Sequence, residues 1–192
     1  MIRVAVFASG SGSNTENLIR YFTINTFVRI QCIFTNNANA GVIKRAEKMH
    51  VPCEVFSKTN YGDPDGLIKR LTEEKIDFIV LAGFLLLMPP NIIKKFKGRI
   101  INIHPALLPL HAGKGFYGSR VQQAVIDSGA HISGITIHHV NEKFDEGEII
   151  FQAACHVSKN ETVESLAQKI HSLEYLFYPV VVAKIVRTTF NQ

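Results

Sequence analysis

Arg3-Val4-Ala5-Val6-Phe7-Ala8 runs directly into Ser9-Gly10-Ser11-Gly12-Ser13. Six residues with a single charge, followed by alternating serine and glycine, predict a strand buried on both faces that turns tightly into a helix. Ser13-Asn14-Thr15-Glu16 fits a capping box, in which the serine hydroxyl and the glutamate carboxylate would satisfy amides left unpaired by the first helical turn. The same alternation continues along the chain. Strands are expected over residues 28–34, 53–56, 78–82 and 100–104. Helices are expected over 42–49 and from Asp63-Pro64, through the stripe Leu67, Ile68 and Leu71, to Lys75. Short loops between alternating strands and helices imply an α/β domain, with a mostly parallel twisted sheet and helices on both faces. Beyond a Pro- and Gly-marked loop, a helix is expected over 119–128. Two alternating strands over 133–140 and 148–157 form a hairpin, and a long helix from about Thr162 bends near Pro179.

The composition agrees with one compact unit. The chain has 192 residues, 46% hydrophobic and 19% charged, which gives one domain with material for a large core and no case for disorder. Lys and Arg exceed Asp and Glu by 21 to 16. That surplus suits a phosphate-bearing small molecule, and the lack of a run of like charges argues against a nucleic-acid arm. Cys32, Cys53 and Cys155 contain no CxxC pair, so neither a disulfide framework nor a zinc ribbon is expected, and the setting reads as reducing and cytoplasmic. No stretch is long and apolar enough to span a membrane or to act as a signal peptide. The histidines offer no metal set: His138 and His139 are adjacent and face opposite ways in a strand, while His50, His111, His131 and His156 lack a second ligand at a helpful spacing. No metal is assigned.

Several residues carry chemistry. Gly10 to Asn14 lie between a strand and a helix start, where free amides and the helix dipole favour an anion; the alternative is a plain glycine turn. Thr15 occupies the third glycine position of a dinucleotide fingerprint and the second strand ends in Thr35-Asn36-Asn37 without an acid, which disfavours NAD. Gly113-Lys114-Gly115 lacks the rest of a P-loop, which disfavours ATP. Asn102 and His104 fall on one face of a strand, roughly 7 Å apart, at its carboxyl end. An amide beside an imidazole suits a developing oxyanion, and one such donor is typically worth about 3–4 kcal/mol; the alternative is a core histidine bonded to a carbonyl. Asp145, in the loop between the last two strands, either reaches into the crevice and raises the pKa of His104 or sits in a solvated turn. Glu174 falls inside the apolar stripe Val163, Leu166, Ala167, Ile170, Leu173, Phe177 and needs a partner, either a substrate ammonium or hydroxyl or an internal Lys or Arg. His171 lies at the edge of that stripe and is expected at the surface.

Five segments occur in a telling order: Ala5 to Asn14, Leu81-Ala82-Gly83-Phe84, Asn102-Ile103-His104-Pro105-Ala106-Leu107-Leu108-Pro109, Gly134 to Val140 with Asp145-Glu146-Gly147, and Glu174 to Pro179. Together they resemble the folate-dependent formyltransferase family over essentially the whole chain. Within it they resemble the branch that acts on phosphoribosylglycinamide, since the 192 residues leave no room for the extra domains of the tRNA-acting and deformylase branches. The resemblance implies a single-domain, Rossmann-like formyltransferase fold. Residues 1–100 would form a ribonucleotide-binding half and residues 101–192 a catalytic and folate-binding half. It implies transfer of the formyl group of 10-formyltetrahydrofolate, a co-substrate, to the amine of 5'-phosphoribosylglycinamide in purine biosynthesis, by a monomer or homodimer acting without metal, nucleic acid or membrane. Asn102, His104 and Asp145 match the catalytic trio, with His104 held in its charged form by Asp145. Gly12, Ser13, Asn14 and Glu174 match ribonucleotide-binding positions. Leu85, Leu86, Leu87, Met88, Asn102 and Val140 match the folate pocket. Leu86 stands where the family often has Arg, which leaves Lys58 as the candidate for the folate's glutamate tail. His171 stands where the family often has Gln, and Leu110 to Gly118 replaces a shorter Pro-Gly-x-His loop. Other acceptors in the same family, such as an amino sugar nucleotide, and a non-catalytic binder of phosphoribosyl ligands are the alternatives.

Overall fold

The computed structural model describes residues 1–57, 61 and 66–191. Seven strands form one sheet: β1 (Ile2–Phe7), β2 (Val28–Thr35), β3 (Cys53–Val55), β4 (Phe78–Leu81), β5 (Ile100–His104), β6 (Ile132–His139) and β7 (Ile149–His156). Their spatial order is β3-β2-β1-β4-β5-β6-β7. The first five are parallel to their neighbours, and β6 and β7 pair antiparallel with β5 and with each other. The described helices are α1 (Ser13–Ile24), α2 (Gly41–Lys48), α3 (Leu67–Glu73), α4 (Pro90–Lys95), α5 (Ser119–Asp127) and α6 (Val163–Phe190).

Period-two alternation divides the strands between two cores. Val4 and Val6 pack on one face of the sheet with Leu18, Ile101, Ile103, Tyr178 and Val182. Ala5 and Phe7 pack on the other with Phe34, Ile79, Leu81, Met88 and Phe96. With Ile101 and Ile103 in the first core, alternation leaves Ile100, Asn102 and His104 on the opposite face of β5.

Chain order places the cavity. From β1 the chain winds outward through β2 and β3, then returns to β4 and β5 on the other side of β1, so the winding reverses between β1 and β4. Loops leaving the carboxyl ends of two such strands diverge and leave a crevice.

One local expectation changes. The Ser13–Glu16 capping box does not form: Gly12 is the N-cap, in the left-handed region at φ 77°, with no side-chain cap bond. Glu16 is instead claimed by the guanidinium groups of Arg20 and Arg45. A charged partner outcompetes a neutral amide for a carboxylate. The capping box in this fold is Thr162 with Ser165, at the head of α6. The segment that follows Met88 contains α4, which begins on Pro90. The helix start at Asp63-Pro64 lies outside the described residues, while Leu67 and Leu71 of its stripe are buried.

α6 runs unbroken through Pro179, whose missing N–H leaves the carbonyl of Tyr175 without its helical donor. The side chain of Asn17, on α1, donates to that carbonyl at 2.9 Å. A defect in one helix is thus satisfied by the next.

Gly12 cannot carry a side chain where it stands. A Cβ there would lie 2.6 Å from the Cα of Val42, on top of the positive φ. Gly12→Ala is therefore expected to destabilise the fold by about 1–3 kcal/mol, read as a lower denaturant midpoint; an unchanged midpoint would show that the loop repacks freely.

Candidate active site

A cavity of about 890 Å³ opens at the carboxyl ends of β1, β4 and β5. Its wall is assembled from distant parts of the chain. Gly10 to Asn14 follow β1, Ala82 to Met88 follow β4, Asn102 to Pro105 end β5, and Glu174 and His171 come from α6. Its volume suits a drug-sized ligand.

At one side of the cavity the β5 residues meet the loop after β6. His104 is 3% exposed. Its Nε2 lies 2.9 Å from the carbonyl oxygen of His111. A carbonyl only accepts, so Nε2 carries a proton. Its Nδ1 lies 3.6 Å from Oδ2 of Asp145. Asp145 also accepts from the backbone N–H of Gly113 at 3.1 Å and from the amide of Asn102 at 3.5 Å. Its backbone holds a positive φ of 56°. The solvated-turn alternative for Asp145 is excluded: its side chain is 11% exposed and faces His104.

His138 is the residue that reading the sequence missed. It is 2% exposed and stands opposite Asn102 in the β5–β6 register. Its Nδ1 donates to its neighbour's carbonyl, that of His139, at 2.8 Å, which leaves Nε2 to accept from the Asn102 amide at 3.1 Å. Alternation does send His138 and His139 to opposite faces as expected. The available signal was that β6 pairs with β5, so that one of its faces must lie against Asn102 and His104.

The electrostatics run against one expectation. Asp145 does favour a charged His104, but burial is the larger effect, and His104 lies below the ordinary histidine value of 6.5. For Asp145 burial again acts first, upward. The His138 and His104 imidazoles and the Gly113 N–H outweigh it, so the carboxyl stays below its ordinary value.

At the other side, Gly12, Ser13 and Asn14 begin α1, with Asn14 beneath α6. Glu174 is 5% exposed, and its partner is neither Lys nor Arg. Its Oε2 accepts from Asn14 Nδ2 and from His171 Nδ1, each at 2.9 Å. His171 is at the surface as expected, its side chain 54% exposed, and it also lines the rim of the cavity. Leu85, Leu86, Leu87, Met88 and Val140 all line the cavity, with Leu85 and Leu87 the most exposed of them. The carbonyl of Leu87 accepts from the Tyr61 hydroxyl at 2.9 Å, and the N–H of Leu85 donates to Ser9 Oγ at 3.0 Å, which ties this segment to the loop that follows β1. Lys58 lies outside the described residues. Among the described residues no group of three or more His, Cys, Asp and Glu side chains could hold a metal ion, and no helix is long and apolar enough to cross a membrane.

Comparison with known proteins places this arrangement. Residues 2–182 match the family described as formyl transferase. The chain is 40% identical over 191 residues to a chloroplastic phosphoribosylglycinamide formyltransferase of Arabidopsis thaliana, covering 95% of this chain and 65% of that protein. It thus spans just under two thirds of the plant relative's length. It is 34% identical to the phosphoribosylglycinamide formyltransferase of Bacillus subtilis, with 96% and 95% of the two chains covered. The crystal structure of the enzyme of that name from Bacillus halodurans superposes with a TM-score of 0.86 at 33% identity, covering 96% of this chain and 95% of that one. With the matched residues running from β1 into α6 and the same fold in a solved relative, the chain belongs to the formyl transferase family.

Proposed function

We propose that this protein transfers the formyl group of 10-formyltetrahydrofolate to the primary amine of glycinamide ribonucleotide, a step of purine biosynthesis. The observation that carries the reading is that Asn102, His104 and Asp145 meet in the wall of the same cavity that holds the Gly12–Asn14 loop and the Leu85–Met88 segment. The names of the relatives supply the acceptor.

In this reading the first hundred residues provide the phosphate cradle, where the α1 amides and the Ser13 hydroxyl meet the anion, and the rest provide the trio. Glu174 reaches back to the cradle and holds the ribose end. The apolar segment Leu85–Met88 and Val140 enclose the pterin. The three free cysteines fit a reducing, cytoplasmic setting.

Asn102 and His104 stabilise the oxygen that becomes negative when the amine attacks the formyl carbon. One C–N bond forms, the bond from that carbon to the folate N10 breaks, and the proton lost by the amine ends on N10. His104 presents its Nε2–H, exchanging the His111 carbonyl for the formyl oxygen. Its depressed pKa keeps it neutral in the empty cavity. A developing oxyanion, added to the Asp145 charge, raises that pKa during the reaction and lets the imidazole hold a proton when it is needed. His138 fixes the Asn102 amide by accepting one of its hydrogens, a positioning role.

Incubation with both substrates and mass measurement of the ribonucleotide tests the reading. A gain of one formyl group that requires the protein is expected; consumption of the donor without a formylated acceptor would overturn it in favour of hydrolysis. Asn102→Ala and His104→Ala are each expected to lower kcat about a hundredfold or more with the fold retained, and full activity in either would remove that residue from the chemistry.

The protonation argument has its own check. The imidazole of His104, followed by NMR, should titrate below 6.5, and lower still in Asp145→Asn, because the carboxylate is the largest influence opposing burial. A midpoint that rises in this variant would contradict the assignment. The sign for stability follows: the unfolded chain binds a proton at His104 more readily than the folded one, so this residue's contribution to stability falls as pH drops below 6.5 towards the folded value.

A further inference from the structure

Tyr61 is not in the cavity wall, yet it grips a segment that is. Its ring stacks on Phe56, with centroids 5.1 Å apart and planes 8° from parallel, and lies 5.9 Å from the ring of Phe84. Phe56 and Phe84 pack in turn against Phe7 of β1, at 6.3 and 5.3 Å. The tyrosine ring is thereby anchored to the sheet. Burial raises its pKa, so the hydroxyl keeps its proton, and the Leu87 carbonyl, which only accepts, receives it at 2.9 Å.

Peptide geometry turns this contact into a constraint on the cavity. The bond joining Leu87 to Met88 is trans and planar, so its C=O and N–H point in opposite directions. With the Leu87 carbonyl drawn towards Tyr61, behind the wall, the Met88 N–H is directed to the cavity side. Met88 is 2% exposed and lines the cavity, and its N–H has no partner among the described residues. Pro89 and Pro90 follow and carry no N–H at all. The Leu85 N–H, two peptides before the Leu87 carbonyl, is already taken by Ser9 Oγ. A nearly buried donor held in place and left unpaired is costly unless a ligand completes it.

We propose that Tyr61 is a positioning residue for the formyl donor: by holding the Leu87 carbonyl it presents the Met88 N–H to the folate ring, and so sets donor affinity without touching the donor. The inference rests on the reading of Leu85–Met88 as the folate wall. Phenylalanine in place of Tyr61 would keep the stack on Phe56 and lose the tie to Leu87. The acceptor end of the cavity, built from α1 and α6, has no contact with this hydroxyl.

Calorimetric binding of tetrahydrofolate and, separately, of glycinamide ribonucleotide tests this in wild type and Tyr61→Phe. The variant is expected to bind tetrahydrofolate about fivefold more weakly, the size of one neutral hydrogen bond, with ribonucleotide affinity unchanged. In turnover its KM for 10-formyltetrahydrofolate should rise by the same factor while kcat is kept. Equal tetrahydrofolate affinity in wild type and variant overturns the inference, and so does an equal loss for both ligands, which would mark a general loosening of the fold. The function itself is judged separately, by formyl transfer in the wild type. Transfer with no donor effect sinks only the role of Tyr61; a donor effect without transfer upholds that role and sinks the reaction. No tetrahydrofolate binding in the wild type overturns both.

Discussion

Two polar side chains laid on the inner part of a buried strand must be paired, and the second half of this fold can be understood as the means of pairing them. Asn102 and His104 sit in a strand whose other three residues are isoleucines, and an unpaired donor in such a place costs about 1–3 kcal/mol. A sixth parallel strand with its crossover helix would bring another apolar face. The antiparallel β6 instead brings His138 beside Asn102 and ends beside Ile101, at β5's amino end, and the following loop carries Asp145 back over both residues. The β5–α5 loop adds the His111 carbonyl and the Gly113 amide. Gly147 permits the closure, since a Cβ there would lie 1.6 Å from the His139 carbonyl, the same carbonyl that fixes the His138 ring.

The balance of forces at this cluster differs from that at the other end of the cavity. At His104, burial outweighs a carboxylate 3.6 Å away, so the imidazole is held neutral. At His171 a carboxylate at 2.9 Å outweighs partial burial, and the pKa lies above the ordinary histidine value. The same pair of residue types is therefore shifted in opposite directions in one cavity. Depth and contact distance decide between them.

Much of this was legible in the sequence where a pattern depends on the backbone alone. The run Arg3–Ala8 and its serine-glycine turn gave the first strand and the α1 start, and the alternation in Ile100–His104 placed Asn102 and His104 together. Glu174 stood out because a carboxylate inside a helical stripe needs a partner. What stayed hidden depended on residues far apart in the chain. Glu16 looked like a cap because Arg45, its partner from α2, is invisible to local reading. His138 looked idle because its value comes from the register of β6 on β5. The charge state of His104 was misjudged because proximity to Asp145 can be inferred from a resemblance, whereas depth of burial cannot. The aim of Glu174 was left open for the same reason: Asn14 is 160 residues away.

The proline in α6 has a consequence for how ligand is received. Asn17 reaches the carbonyl that Pro179 releases, while Asn14, one turn earlier on α1, reaches Glu174. Two ties from successive turns of α1 to adjacent residues of α6 hold the helices in one register at this point, so a slide of α6 along α1 breaks both. The spacing between the phosphate cradle and the carboxylate opposite is therefore established when the chain folds. The conformational entropy of ordering that wall is lost in folding rather than in binding, which is what preorganisation means for a small, polar acceptor that has little apolar surface to contribute.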